Sequence, residues 1–76
     1  MQPYANKSGN SGVESFEIGE KYIIVQYNDG DRYLYHYAQP GENHVEKMKQ
    51  LADEGIGLAT YISQHIGKRY AAKIEM

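Results

Sequence analysis

The stretch KYIIVQYNDGDRYLYHY, residues 21–37, decides the reading of this chain. Two runs rich in β-branched and aromatic residues flank Asn28-Asp29-Gly30, and a Gly-containing polar turn between such runs is the strongest short-range signal for a β-hairpin. Side chains alternate across a strand, so Ile23, Val25 and Tyr27 share one face while Tyr22, Ile24 and Gln26 share the other. The turn permits two registers. A two-residue loop at Asp29-Gly30 pairs Val25 with Leu34 and Ile24 with Tyr35. A three-residue loop, with Gly30 as a left-handed bulge residue, pairs Val25 with Tyr33 and Ile23 with Tyr35. The second is preferred because it gathers Ile23, Val25, Tyr27, Tyr33 and Tyr35 on one face, with Tyr37 next in line. Cross-strand pairs of this kind contribute about 0.2–1 kcal/mol each. Ile24 and Leu34 then share the opposite face. Five of the eight tyrosines lie in this hairpin, so it either makes a binding surface or forms a wall of the core.

Working outward, the upstream run VESFEI, residues 13–18, alternates as a short strand with Phe16 and Ile18 on one face, and Gly19-Glu20 turns it into the hairpin. Residues 1–12 are rich in Asn, Ser, Gly, Gln and Pro and lack periodicity. They are expected to form a disordered tail with Tyr4 in solvent, leaving residues 13–76 as a single domain. Downstream, Pro40-Gly41 stops the last strand. Asn43 followed by Glu46 fits a capping box, and a helix is expected to about Glu54 with Val45, Met48, Leu51 and Ala52 inward. Gly55 suits the left-handed position that ends a helix. Gly57 opens a second helix whose expected inner face is Leu58, Tyr61, Ile62, His65 and Ile66. Residues 68–73 either prolong that helix or fold back over the sheet, and Ile74 either docks as a strand or caps the core. The predicted fold is α+β, in the order β-β-β-α-α: a three-stranded antiparallel sheet with two helices on one face.

At 76 residues the chain is one small domain near the lower limit for a core without staples. Cysteine is absent, which excludes disulfides and thiolate metal sites. No apolar run approaches the roughly 20 residues of a membrane span. The start of the chain has no apolar block, so it does not read as a secretory signal, and the expected compartment is the cytoplasm. The formal charge of −2 argues against a strong nucleic-acid binder. Charge is polarised: residues 13–54 hold four Lys/Arg against nine Asp/Glu, whereas residues 55–76 hold Lys68, Arg69 and Lys73 against Glu75 alone. Cations collecting near a helix C-terminus account for that bias without any ligand.

The order of these features resembles the KTSC-type domain, the small domain at the C-terminus of some lysyl-tRNA synthetases and a free-standing bacterial protein. The resemblance runs from about Glu17 to Lys73. Tyr33-Leu34-Tyr35 stands where that family carries its Y-x-Y, Gly30 at its hairpin glycine, and Pro40 at the proline after its last strand. The run Tyr61-Ile62-Ser63-Gln64-His65-Ile66 and the closing Arg69-Tyr70 parallel later family positions. Ser63 stands where the family has Asn, and Ile62 where it has an aromatic. The resemblance implies the same α+β fold, no established activity, and RNA binding by association with a tRNA synthetase; fold alone does not fix function.

Candidate sites follow from residue type. Tyr33 and Tyr35, with Tyr37, have the chemistry of an aromatic platform that stacks unpaired bases, at about 1–3 kcal/mol per base. In a domain poor in Leu and Phe, tyrosine must supply much of the apolar volume, so the core under the two helices is the preferred place for them. Arg32, Lys68, Arg69 and Lys73 are the candidate phosphate contacts, and any affinity they give is expected to fall steeply with salt. The glycines at 55 and 57 lack the third glycine and preceding strand of a phosphate cradle. His36, His44 and His65 have no recurrent metal spacing. Ser63 and His65, two apart on a helix, diverge, and no catalytic constellation emerges. The expectation is a non-catalytic binding module without cofactor or metal, which binds RNA weakly or accompanies an RNA-handling protein. The alternative is a protein-interaction or self-associating domain, a homodimer included, that uses an exposed sheet edge. A small-molecule pocket lined by Tyr61 and the tyrosine face ranks third.

Overall fold

A computed structural model describes residues 1–9 and 11–74. It shows an α+β fold built on a five-stranded antiparallel sheet in the order β1-β2-β3-β4-β5. The strands are β1 (Gln2–Pro3), β2 (Val13–Ile18), β3 (Tyr22–Tyr27), β4 (Arg32–His36) and β5 (Ala72–Ile74). The hairpin adopts the three-residue register: Ile23 faces Tyr35, Ile24 faces Leu34 and Val25 faces Tyr33. Gly30 takes φ 95°, and its N–H donates to Tyr27 O at 2.9 Å. A two-residue loop would have turned every β4 side chain to the other face.

The three expected strands are β2, β3 and β4, and a short strand flanks them on each side. β5 pairs Arg32 with Ile74, Tyr33 with Lys73 and Leu34 with Ala72, so the C-terminal segment folds back as a strand. At the other edge the expectation of a structureless tail is corrected. Gln2 pairs with Phe16 and Pro3 with Ser15, and Tyr4 is 7% exposed within the core. Composition missed this because one aromatic anchors the segment. The Tyr4 ring joins the core, and its hydroxyl accepts the Leu58 N–H at 3.2 Å. Asn10 lies outside the described residues.

Helix α1 (Glu42–Glu54) and the short α2 (Leu58–Tyr61), continued by a π-helical turn over Ile62–Ile66, cover one face of the sheet. The core joins Phe16, Ile23, Val25 and Tyr35 from that face to Val45, Met48, Ala52, Leu58, Ile62 and Ile66. The expected capping box does not form. α1 begins two residues earlier, behind Gly41 at φ 122°, with no side-chain cap. Glu46 is engaged elsewhere, accepting from Tyr37 Oη at 2.7 Å and pairing with Lys49 at 2.8 Å. Gly55 ends α1 in the left-handed conformation, its N–H donating to Leu51 and Ala52 carbonyls. His65 departs from its expected inward position and is exposed. The Gly67 N–H bonds back five residues to Ile62 O, and that wider turn keeps Leu58, Ile62 and Ile66 buried while rotating His65 outward.

Candidate functional site

Because the helices cover one face only, period-two alternation leaves the other face of the sheet open. The register arranges this face in rows across the strands. The middle row is Glu17, Ile24, Leu34 and Ala72; beside it run Ser15, Gln26, Arg32 and Ile74. Tyr22 and His36 close the far end. Ile24, Leu34 and Ile74 are half-buried, yet none is among the side chains packed against the core. They form an apolar strip that strand neighbours shield only from the sides. Polar side chains frame it. Gln26 donates its Nε2 to Glu14 Oε2 at 3.2 Å and accepts Arg32 Nε–H on its Oε1 at 2.9 Å, a relay across three strands. Tyr22 donates its hydroxyl to Glu17 Oε2 at 3.1 Å, and that bond to a carboxylate pushes the Tyr22 phenol up. The face is acidic on the β2 side and basic at Arg32.

The structure scatters the six residues expected to form one nucleic-acid surface. Tyr35 is 1% exposed, a core residue with no ring face for a base. Burial first, then the 3.1 Å hydrogen bond to Tyr27 Oη, pushes its phenol far up and keeps it neutral. Arg32 lies on the open face, the opposite side of the sheet from Tyr33 and Tyr35. Lys68 and Arg69 are exposed after the π-helical turn, and the Arg69 guanidinium is turned back onto the carbonyls of His65 and Ile66. Tyr33 and Lys73 are brought together: β5 places the Lys73 Nζ 5.9 Å from the Tyr33 ring centroid and 3.5 Å from Asp31 Oδ2. Sequence reasoning could not foresee that contact while the course of residues 68–74 was open.

Tyr33 also belongs to an aromatic ladder on the covered face, partly buried against the core. Its centroid lies 5.7 Å from Tyr27, with the rings at 74°, and 4.6 Å from Tyr70. Tyr27 and Tyr33 wall a shallow notch of about 410 Å³ completed by Gly12, Asn28 and Asp29. Burial raises the Tyr27 phenol, and the bond to Tyr35 opposes that in part. Two further aromatic groups sit on the helical side. The Tyr37–Glu46 hydrogen bond pushes the Tyr37 phenol up to about 12. His44 Nδ1 and Tyr61 Oη share a hydrogen bond at 2.7 Å, and the His65 ring packs against Tyr61 at 4.8 Å between centroids, tilted by 38°. Among the described residues no three His, Cys, Asp or Glu side chains converge to hold a metal ion, and no helix is long and apolar enough to cross a membrane.

The fold and these surfaces define a small α+β meander domain with one helix-covered and one open sheet face. Comparison of the chain with family models, curated proteins and solved structures gives no match.

Proposed function

We propose that this chain is a non-catalytic interaction domain whose working surface is the open sheet face and whose partner is a second copy of itself. The observation that carries the reading is an apolar strip on the open face, Ile24-Leu34-Ala72 with Ile74, beside which run the polar Gln26 and Arg32. A two-fold axis parallel to the strands lays one strip on the other and exchanges left for right at constant height. With that axis between β3 and β4, Ile24 of each copy meets Leu34 of the other and Gln26 meets Arg32, so one surface is complementary to itself, as an isologous interface requires. The sheet edges serve this role less well, since β1 and β5 offer only two and three residues of ladder. Four strands at about 4.8 Å spacing and five residues at about 3.3 Å rise give roughly 300 Å² of plan area per copy. That is well below the roughly 800 Å² per partner of a standard stable interface, so the dimer is weak and concentration-dependent.

The resemblance to KTSC-type domains supports an accessory role of the same non-catalytic kind, and weak RNA binding stands behind self-association as a reading. Tyr33 and Lys73 remain adjacent for it, but Asp29 and Asp31 flank them, which opposes a polyanion. Sedimentation equilibrium from micromolar to millimolar protein tests the proposal. The dimer should grow with concentration, vanish in Leu34→Glu and weaken in Arg32→Glu. A monomer throughout, or a dimer indifferent to Leu34→Glu, defeats the reading.

A further inference from the structure

We infer that the notch between Tyr27 and Tyr33 is a binding site for an N-methylated or quaternary ammonium group. Such a cation is recognised by an aromatic ring with a carboxylate nearby. Each part is present. Tyr27 and Tyr33 line the notch with their rings in edge-to-face contact, at 74° and 5.7 Å between centroids, and Asp29 stands on the rim with Asn28 and Gly12. The volume of about 410 Å³ admits a trimethylammonium head with room to spare.

The parts are also held in place before any ligand arrives, which lowers the ordering cost of binding. Tyr27 is tied by its hydroxyl to Tyr35 at 3.1 Å and by its N–H to Asp31 O at 2.9 Å. Tyr33 is backed by Tyr70 at 4.6 Å. Asp29 Oδ1 accepts the Asp31 N–H at 2.9 Å, which fixes the carboxylate at the turn. Asn28 N–H donates to Gly12 O at 2.8 Å and its side chain to Ser11 O at 3.2 Å, so the floor is bonded to the wall. The chain's own Lys73 ammonium, 5.9 Å from the Tyr33 centroid and 3.5 Å from Asp31, shows the local preference for a cation at this ring. A nucleobase would find the same rings, but its phosphate would meet Asp29 and Asp31. The notch lies on the opposite face from the self-association surface, so the two proposals stand or fall separately.

The test is an amide-shift titration of the full chain with choline, with its uncharged isostere 3,3-dimethylbutanol, with a trimethyllysine-containing peptide and its unmodified counterpart, and with adenosine monophosphate. Choline should shift the amides of Gly12, Asn28, Asp29 and Gly30 at millimolar concentration, several-fold more tightly than the isostere. Tyr33→Leu should abolish the shifts. Asp29→Asn, in an exposed turn where folding is not at stake, should weaken binding at least threefold. Tighter binding of the trimethyllysine peptide than of choline assigns the source as a protein partner, and the reverse assigns a free small molecule. Equal binding of choline and the isostere, tighter binding of the nucleotide, or no shift at tens of millimolar choline overturns the inference.

Discussion

Tyr4 is the residue on which composition and structure disagree most sharply, and its replacement discriminates between them. In a disordered tail, Tyr4→Phe and Tyr4→Ala would both be silent. In the structure the ring is 7% exposed among core side chains, and its hydroxyl is the acceptor for the buried N–H that opens α2 at Leu58. Tyr4→Phe keeps the ring and leaves that N–H without its acceptor, at about 1–2 kcal/mol. Tyr4→Ala also empties the space of the ring, which in a fixed core costs about 3–5 kcal/mol. The anchor lies near a chain end, beside a strand of two residues that can peel away, so the lower part of that range, about 3–4 kcal/mol, is expected. A domain of this length holds about 4–11 kcal/mol in all. Tyr4→Ala therefore removes a large fraction of it, and even Tyr4→Phe should lower the melting temperature by about 4–16 °C, at 4–8 °C per kcal/mol. Urea unfolding followed by far-ultraviolet circular dichroism reads both variants. Wild-type midpoints for the pair would refute the packing of β1 and return residues 1–12 to the solvent.

Further expectations can be checked on the same material. Gly55→Ala should destabilise by about 1–3 kcal/mol, since φ 75° disfavours a side chain and the new Cβ would come within 2.5 Å of Ala5 Cβ; an unchanged urea midpoint would sink this. Tyr22, Tyr27, Tyr35 and Tyr37 all have phenols raised above the ordinary value of 10. A raised folded value means stability is whole below pH 10 and is lost as pH climbs through the folded values. Phenolate absorbance should therefore stay incomplete above pH 10 until the fold gives way, and a single complete titration near pH 10 with the fold intact would contradict it. Glu46 is held below its usual range by Lys49 first and Tyr37 second, so its share of stability is present above the ordinary carboxyl value and fades as pH falls through the lowered one. Tyr37→Phe should move the Glu46 carboxyl titration, followed by carbon-detected resonance, upward; no movement would remove Tyr37 as a cause.

How much was legible depended on whether the signal was local. The hairpin could be read in register because turn chemistry and apolar alternation agree: only the Val25–Tyr33 pairing puts Ile23, Val25 and Tyr35 together. The Gly55 stop was equally local. What failed depended on contacts distant in sequence. Tyr4 is 54 positions from Leu58, and no window around it carries that bond. β5 pairs three residues with β4 across a gap of some forty positions, and with it came the neighbourhood of Tyr33 and Lys73. The capping box failed because Tyr37, on the preceding segment, claims Glu46. His65 was misplaced because a 3.6-residue period was applied to a turn that is wider.

The same distinction explains why the tyrosine-rich hairpin does not by itself make a site. Tyrosine was expected either to stack ligands or to fill the core, and the structure divides the residues between those uses according to how far the helices reach. Tyr35, opposite Ile23, lies beneath them and is core. Tyr33, two residues earlier, and Tyr27, at the same end of the sheet, are half-buried and border a notch. The helices are short, α1 spanning 13 residues and so about 20 Å, and Tyr27 and Tyr33 on their face are only half-buried. Alternation within one hairpin thus sorts its residues three ways: Ile23, Val25 and Tyr35 hold the fold, Tyr27 and Tyr33 shape the notch, and Ile24, Arg32 and Leu34 face outward on the open side. Changes to Tyr27 or Tyr33 and changes to Ile24 or Leu34 should therefore affect different partners with little cross-talk, although these residues alternate along the same two strands.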